Sequence, residues 1–129
     1  MIYAISDGES VKFGISQNPL SRMKELQTGN PATLRLIASC GKVSLAEPVA
    51  EALIHAVCRR SWLRGEWFTY AGRANEVAAF ISAQSIAPMY HSLTNFLVDC
   101  VEEETTLPEA GIGRLAMVER WAWQNKPRQ

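Results

Sequence analysis

Apolar and polar positions alternate over residues 1–15. Tyr3-Ala4-Ile5 is a short apolar run, Ser6-Asp7-Gly8-Glu9-Ser10 is turn chemistry, and Val11-Lys12-Phe13-Gly14-Ile15 alternates again. That pattern predicts a β-hairpin at the start of the chain. Asn18-Pro19 then sets a capping side chain before a proline at the first helical position. The helix it opens runs to about Gln27, with Leu20, Met23 and Leu26 as the inward stripe and Arg22 at the edge of that stripe. Thr28-Gly29-Asn30-Pro31 ends it.

Leu34 to Cys40 reads as a third strand. Ser44 and Glu47 have capping-box spacing before a helix at about 45–59, where Pro48 falls in the first turn and costs little. Val49, Ala52, Leu53, Ala56 and Val57 form one face of this helix. Glu51 and His55, four residues apart, project together from the opposite face. Arg64 to Tyr70 is a turn entering a short extended segment, and a helix over about 73–84 carries Val77, Phe80 and Ile81. Ala87-Pro88 reads as a hinge. Beyond it lie a helix near 90–103 with Leu93, Phe96, Leu97, Cys100 and Val101, an acidic loop with Pro108, and a helix near 111–124 with Leu115, Val118, Trp121 and Ala122. The division that follows is a domain over 1–85 and a helical extension over 86–129.

The chain has 129 residues, with 47% hydrophobic and 20% charged residues, the balance of an ordinary globular protein. Thirteen basic residues cancel thirteen acidic ones, so total charge makes no case for nucleic acid. The distribution says more. Arg59, Arg60 and Arg64 cluster in one short stretch and are candidates for contact with nucleic acid. Cys40, Cys58 and Cys100 are far apart, form no CxxC pair and read as small buried hydrophobes. With no apolar run of membrane-spanning length and no signal-like start, the expectation is a cytoplasmic protein without a membrane partner.

Glu51 and His55 on one helix face suit a divalent metal. One carboxylate is too little for a closed cage; it suits a Mg²⁺ ion that keeps its waters and borrows phosphate oxygens. Several elements fall in a telling order: Met1-Ile2-Tyr3, Lys12-Phe13-Gly14-Ile15-Ser16, Arg22, Leu26-Gln27-Thr28-Gly29-Asn30-Pro31, Glu51 with His55, and Gly65-Glu66-Trp67-Phe68. This series resembles the GIY-YIG nuclease superfamily, in its divergent phage and bacterial DNA-binding branch related to the meiotically up-regulated-gene type. The likeness covers about residues 1–82.

The resemblance implies a small α+β domain with a three-stranded antiparallel sheet flanked by helices. It also implies phosphodiester hydrolysis with one divalent metal, Mg²⁺ or Mn²⁺. Tyr3 matches the first motif's tyrosine, a general base or a water-orienting hydroxyl. Lys12 stands where the second motif opens with tyrosine. Arg22 matches the arginine that stabilises charge on the phosphate, and Glu51 matches the metal-binding carboxylate. His55 belongs to the divergent branch as a proton relay. Two departures stand out: Met1 replaces the first glycine, and the late asparagine has no clear counterpart.

A tyrosine of ordinary pKa is a poor base, so either Lys12 lowers it or His55 takes the role. Trp67 and Phe68 are expected to pack under the sheet, with Trp62 and Trp67 as alternative stacking platforms for bases. The leading expectation is a DNA endonuclease of phage or mobile-element type. The alternative is a catalytically inactive module on the same fold that binds nucleic acid or a host defence complex, as an anti-defence inhibitor would. In that reading Glu102-Glu103-Glu104 would mimic phosphates. The C-terminal helices are read as a surface for a protein partner or for a homodimer, with one of Trp121 and Trp123 exposed.

Overall fold

Strand β1 (Ile2–Ser6) is buried at every position and is paired on both sides. The computed structural model describes residues 1–41, 43–87 and 92–128. The Ser6–Ser10 turn brings β2 (Ser10–Ile15) back antiparallel, with Tyr3 opposite Gly14 and Ile5 opposite Lys12. Asp7 closes that turn by accepting from the Ser10 N–H at 2.7 Å. After helix α1 (Pro19–Gln27), strand β3 (Arg35–Cys40) pairs with the other edge of β1, also antiparallel. Asn18 caps α1 as its sequence predicts, its side-chain oxygen accepting from the Ser21 N–H at 3.1 Å.

The sheet has five strands, not the expected three, in the order β3-β1-β2-β5-β4. The added pair is β4 (Trp62–Arg64) and β5 (Trp67–Thr69), joined by Gly65-Glu66. Gly65 turns with φ +51°, a conformation that favours glycine. The turn expected after Arg64 and the extended segment that follows it are present; the unexpected element is β4 before the turn, which makes the pair a hairpin added to β2.

Alternation divides the sheet into two faces. Tyr3, Ile5 and Leu34 pack with Met23, Leu26, Leu36 and Trp67 beneath α1. Ile2, Ala4, Val11, Phe13 and Phe68 point the other way, into the main core. Phe68 is fully buried there, whereas Trp67 is only half-buried on the α1 face. Leu20, expected in the inward stripe of α1, is 49% exposed, because the helix meets the sheet through Met23 and Leu26.

Helix α2 (Glu47–Val57) lies across the main-core face, and α3 (Arg73–Gln84) packs there on β3 and β1. The expected capping box does not form. Ala46 is the N-cap without a side-chain bond, and Glu47 instead accepts from the Met1 amino group at 3.0 Å. Every residue from Ala52 to Val57 is buried, so the second half of α2 has no solvent face, contrary to its predicted amphipathic pattern. Its second covering comes from α4 (Leu93–Glu102) and α5 (Ile112–Asn125), which pack on it from the C-terminal side of the chain. Burying a side chain such as Leu53 or Ile54 contributes about 1.5–3 kcal/mol, which is why both layers hold.

All three cysteines are buried, as expected. Pro88 and His91 lie outside the described residues. Among the described residues no helix is long and apolar enough to cross a membrane.

Candidate active site

Strand β5 is short. It pairs with β2 only from Ser10 to Lys12, and from Phe13 onward that edge of β2 has lost its neighbour. Three groups take up the freed backbone. The Phe13 N–H donates to the Glu66 carbonyl at 3.3 Å. His55 Nε2 lies 2.9 Å from the Phe13 carbonyl oxygen. The Ile15 N–H lies against the Glu51 carboxylate. Helix α2 thus completes the sheet edge with side chains, and in doing so sets Glu51 beside the groups of the opposite face.

Those groups begin with Tyr3. It lies across Gly14, whose missing β-carbon makes room for the ring and its hydroxyl. The Arg22 guanidinium, on the exposed flank of α1, sits beside the hydroxyl and also pairs with Glu25 at 3.1 Å. Burial raises the Tyr3 pKa above its ordinary value; Arg22 pulls against the rise, and the charges of Glu66 and Glu51 add to it. Tyr3 therefore holds its proton more tightly than a free tyrosine does.

The lowered Tyr3 pKa that sequence reasoning allowed through Lys12 is not seen; the net shift is upward. Lys12 is 6% exposed and ion-paired with Glu66, so its charge is matched locally. Glu66 is the residue that sequence reasoning missed. It was read with Trp67 and Phe68 as a packing motif, yet the hairpin turn aims it at Lys12. The available signal was a charged residue held in a tight glycine turn between two apolar strands.

His55 also differs from its expected setting. It shares its helix face with Glu51 as expected, since both reach the free edge of β2, but that face is closed: His55 is 7% exposed and packed against Phe68, with ring centroids 5.2 Å apart. A carbonyl only accepts, so Nε2 carries the hydrogen that goes to Phe13. Burial lowers the His55 pKa, against the pull of that carbonyl. The ring pins α2 to β2, and burial favours its neutral form.

Burial raises the Glu51 pKa, Glu66 adds to the rise, and Lys12 and Lys126 oppose it. Lys126 caps the C-terminus of α5, so the extension reaches the electrostatic neighbourhood of Glu51. Among the described residues no group of three His, Cys, Asp or Glu could close a cage around a metal. A divalent cation held here would have to keep most of its water, and Glu51 is the carboxylate that could hold it.

The expected basic patch divides. Arg59 donates to the Ala56 carbonyl at 2.9 Å, pairs with Glu104, and lies 5.2 Å over the Trp121 ring. It is a latch between α2 and the extension and is not free for a ligand. Arg60 shares Glu104 at 2.9 Å but is 76% exposed. Arg64 is exposed on the edge strand, with no ion pair among the described residues.

The acidic loop does not present free charge for phosphate mimicry. Glu102 pairs with Arg114, Glu103 with Arg73 at 2.7 Å, and Glu104 with Arg59 and Arg60. Trp121 packs on the core while Trp123 is exposed, with the Lys126 ammonium 4.7 Å from its ring centroid. A cleft of about 540 Å³ beside Ser6, Gly8, Arg35 and Tyr70 holds none of the candidate residues.

An antiparallel sheet carrying Tyr3 and Gly14, an arginine on the first helix and a carboxylate on the central helix define a GIY-YIG-related α+β domain. The chain belongs to the T5orf172 domain family, whose model matches residues 1–84. No curated protein and no solved structure matches it.

Proposed function

We propose that the protein is an endonuclease that hydrolyses DNA phosphodiester bonds with Mg²⁺ or Mn²⁺ held by Glu51. The observation that carries this reading is the convergence of Tyr3, Arg22 and Glu51, from three separate elements, on the open end of β2. The metal, when bound, would supply charge neutralisation at the phosphate and a more acidic water. Arg22 has an exposed guanidinium able to grip two phosphate oxygens with its planar fork. Neutral Tyr3 offers a hydroxyl that accepts from, or donates to, an attacking water. Buried Lys12 and half-buried Glu66 hold the floor of the site and set its local field.

The test is nicking of supercoiled plasmid with Mg²⁺, with Mn²⁺ and with chelator, for wild type, Glu51→Gln and Arg22→Ala. Metal-dependent cutting that both variants lose, by about 10²-fold or more, supports the reading. Cutting that survives in Glu51→Gln overturns it.

A second reading, a binding module without catalysis, is favoured by two observations. The Lys12 ammonium is matched by Glu66, and His55 is committed to Phe13. A folded wild type that binds DNA but never cuts it would select this reading.

A further inference from the structure

Lys12, Arg22, Arg59, Arg60, Arg73 and Arg114 each pair with a carboxylate. The cations at the end of the chain do not. Residues 120–129 hold Arg120, Lys126 and Arg128 with no acidic residue, in a chain whose charges cancel overall. None of the three pairs with a carboxylate side chain among the described residues. The same stretch carries Trp121 and Trp123. Aromatic rings interleaved with cations are the means by which proteins hold unpaired nucleic acid.

The fold gives the two rings different work. Helix α5 packs along α2 and buries Val118 and Ala122. Trp121 lies in that seam, under Arg59 at the end of α2. Trp123 lies outside the seam and is 46% exposed. The chain leaves the helix at Lys126, which is extended, and the Lys126 ammonium turns back to 4.7 Å from the Trp123 ring centroid. This cation–π contact holds a flexible side chain beside the ring. From Trp121 to Lys126 the helix advances about 7.5 Å. It moves away from Arg59 and toward Glu51, whose carboxylate feels the Lys126 charge. The extension thus sets an exposed indole and an unmatched ammonium, already in contact, beside the candidate metal ligand.

An indole stacks only on a base whose own face is free. Within a duplex those faces are covered by neighbouring bases, so stacking selects an unpaired nucleotide or a strand end. An ammonium next to the ring is complementary to the phosphate of that nucleotide. We propose that Trp123 and Lys126 form a subsite for an unpaired nucleotide of the DNA strand, flanking the phosphate at Arg22 and Glu51. The base stacks on Trp123 and the phosphate meets Lys126. The inference rests on the nuclease reading for the site it flanks. It deepens that reading by naming the substrate class, DNA with an unpaired segment.

The test is fluorescence anisotropy with the full chain, in chelator so that no cutting occurs, at several salt concentrations. The probes are a labelled single-stranded oligonucleotide, an abasic strand of the same length, and a duplex. The proteins are wild type, Trp123→Ala, Trp123→Phe, Lys126→Ala and Arg35→Ala. Trp123→Ala should weaken binding of the single strand at least about 5-fold and leave the abasic strand and the duplex unaffected. Trp123→Phe, which keeps a stacking face, should retain most of the affinity. Lys126→Ala should make the salt slope on the single strand shallower by about 0.7, as for one lost phosphate contact. Arg35, exposed on strand β3, carries the same charge change, and Arg35→Ala should keep the wild-type slope. Unchanged single-strand binding in Trp123→Ala overturns the subsite, and so does an equal loss on the abasic strand, which would mean that the ring acts through the fold. A dimer that Trp123→Ala dissociates, with oligonucleotide affinity intact, also overturns it. A base-dependent loss in a protein that never cuts DNA would leave the subsite standing and remove the nuclease reading. Metal-dependent cutting with unaltered binding in Trp123→Ala would do the reverse.

Discussion

The Tyr3 hydroxyl stands 2.5 Å from the position that a β-carbon on Gly14 would take, and its ring carbon Cζ stands 2.6 Å from it. Gly14 does not have a positive φ, so space and not backbone freedom calls for glycine here. Gly14→Ala must push the ring aside, and the ring is fully buried. We expect a loss of about 1–3 kcal/mol, read from the denaturant midpoint. In a Tyr3→Ala background the same substitution should cost almost nothing, a coupling of about 1 kcal/mol or more. Equal costs in the two backgrounds would mean that the ring does not depend on this glycine.

His55 should give the protein a pH-dependent stability near neutrality. Its folded pKa lies below the unfolded value, so the unfolded chain binds the extra proton first. The contribution is complete above about pH 6.5 and declines as pH falls below it, toward the folded pKa. His55→Gln keeps a donor for the Phe13 carbonyl but removes the titration. Comparing unfolding midpoints from pH 7.5 to 5 should show a gap that narrows with acid. A constant gap would show that the imidazole does not bind its proton differently on folding.

The Lys12–Glu66 pair is lopsided: Lys12 is buried and the Glu66 side chain is 30% exposed. Glu66→Gln leaves an ammonium in the floor of the site with no counter-charge. The cost should stay below the roughly 3–5 kcal/mol of a fully buried pair, at about 1–3 kcal/mol, since solvent screens the outer partner. Lys12→Met with Glu66→Gln together should recover much of it. Non-additivity in thermal denaturation is the readout; simple addition would mean the two charges ignore each other.

Glu104 ties the extension to the end of α2. Hydrogen bonds from Arg59, seconded by Arg60, bring its pKa down to about 2. A depressed carboxylate stabilises above its unfolded pKa and loses that contribution as pH falls toward the folded one. The window is therefore about pH 4.5 down to 2. Trp121 lies in contact with Arg59, so its fluorescence should report loosening in that window. Glu104→Gln should show the loosened signal already at neutral pH. A variant with wild-type fluorescence at neutral pH would argue that Trp121 is held without the carboxylate.

The order of elements and the grouping of Tyr3 with Arg22 were legible along the chain, because alternation, the Asn18-Pro19 cap and the motif series are local signals. The β4–β5 hairpin was hidden, since three-residue strands carry too little alternation to register. His55 and Arg59 were misplaced for a shared reason. A polar residue reads as exposed until its partner is known, and the partners here, the Phe13 carbonyl and Glu104, lie 42 and 45 residues away. Glu66 was passed over because its neighbours Trp67 and Phe68 dominate the local pattern. Continuous burial of α2 was likewise unreadable, since its second wall is built by residues far along the chain.

That second wall has a consequence. The stretch that carries the family's likeness stops at residue 84, whereas the helix at its centre is insulated from water partly by α4 and α5, which lie beyond it. Heredity and mechanics thus draw their boundaries in different places. A change on the far side of α5 would reach Glu51 and His55 through one shared helix. The tail therefore builds part of the wall that holds the helix bearing Glu51, and adds the charge of Lys126 to its surroundings.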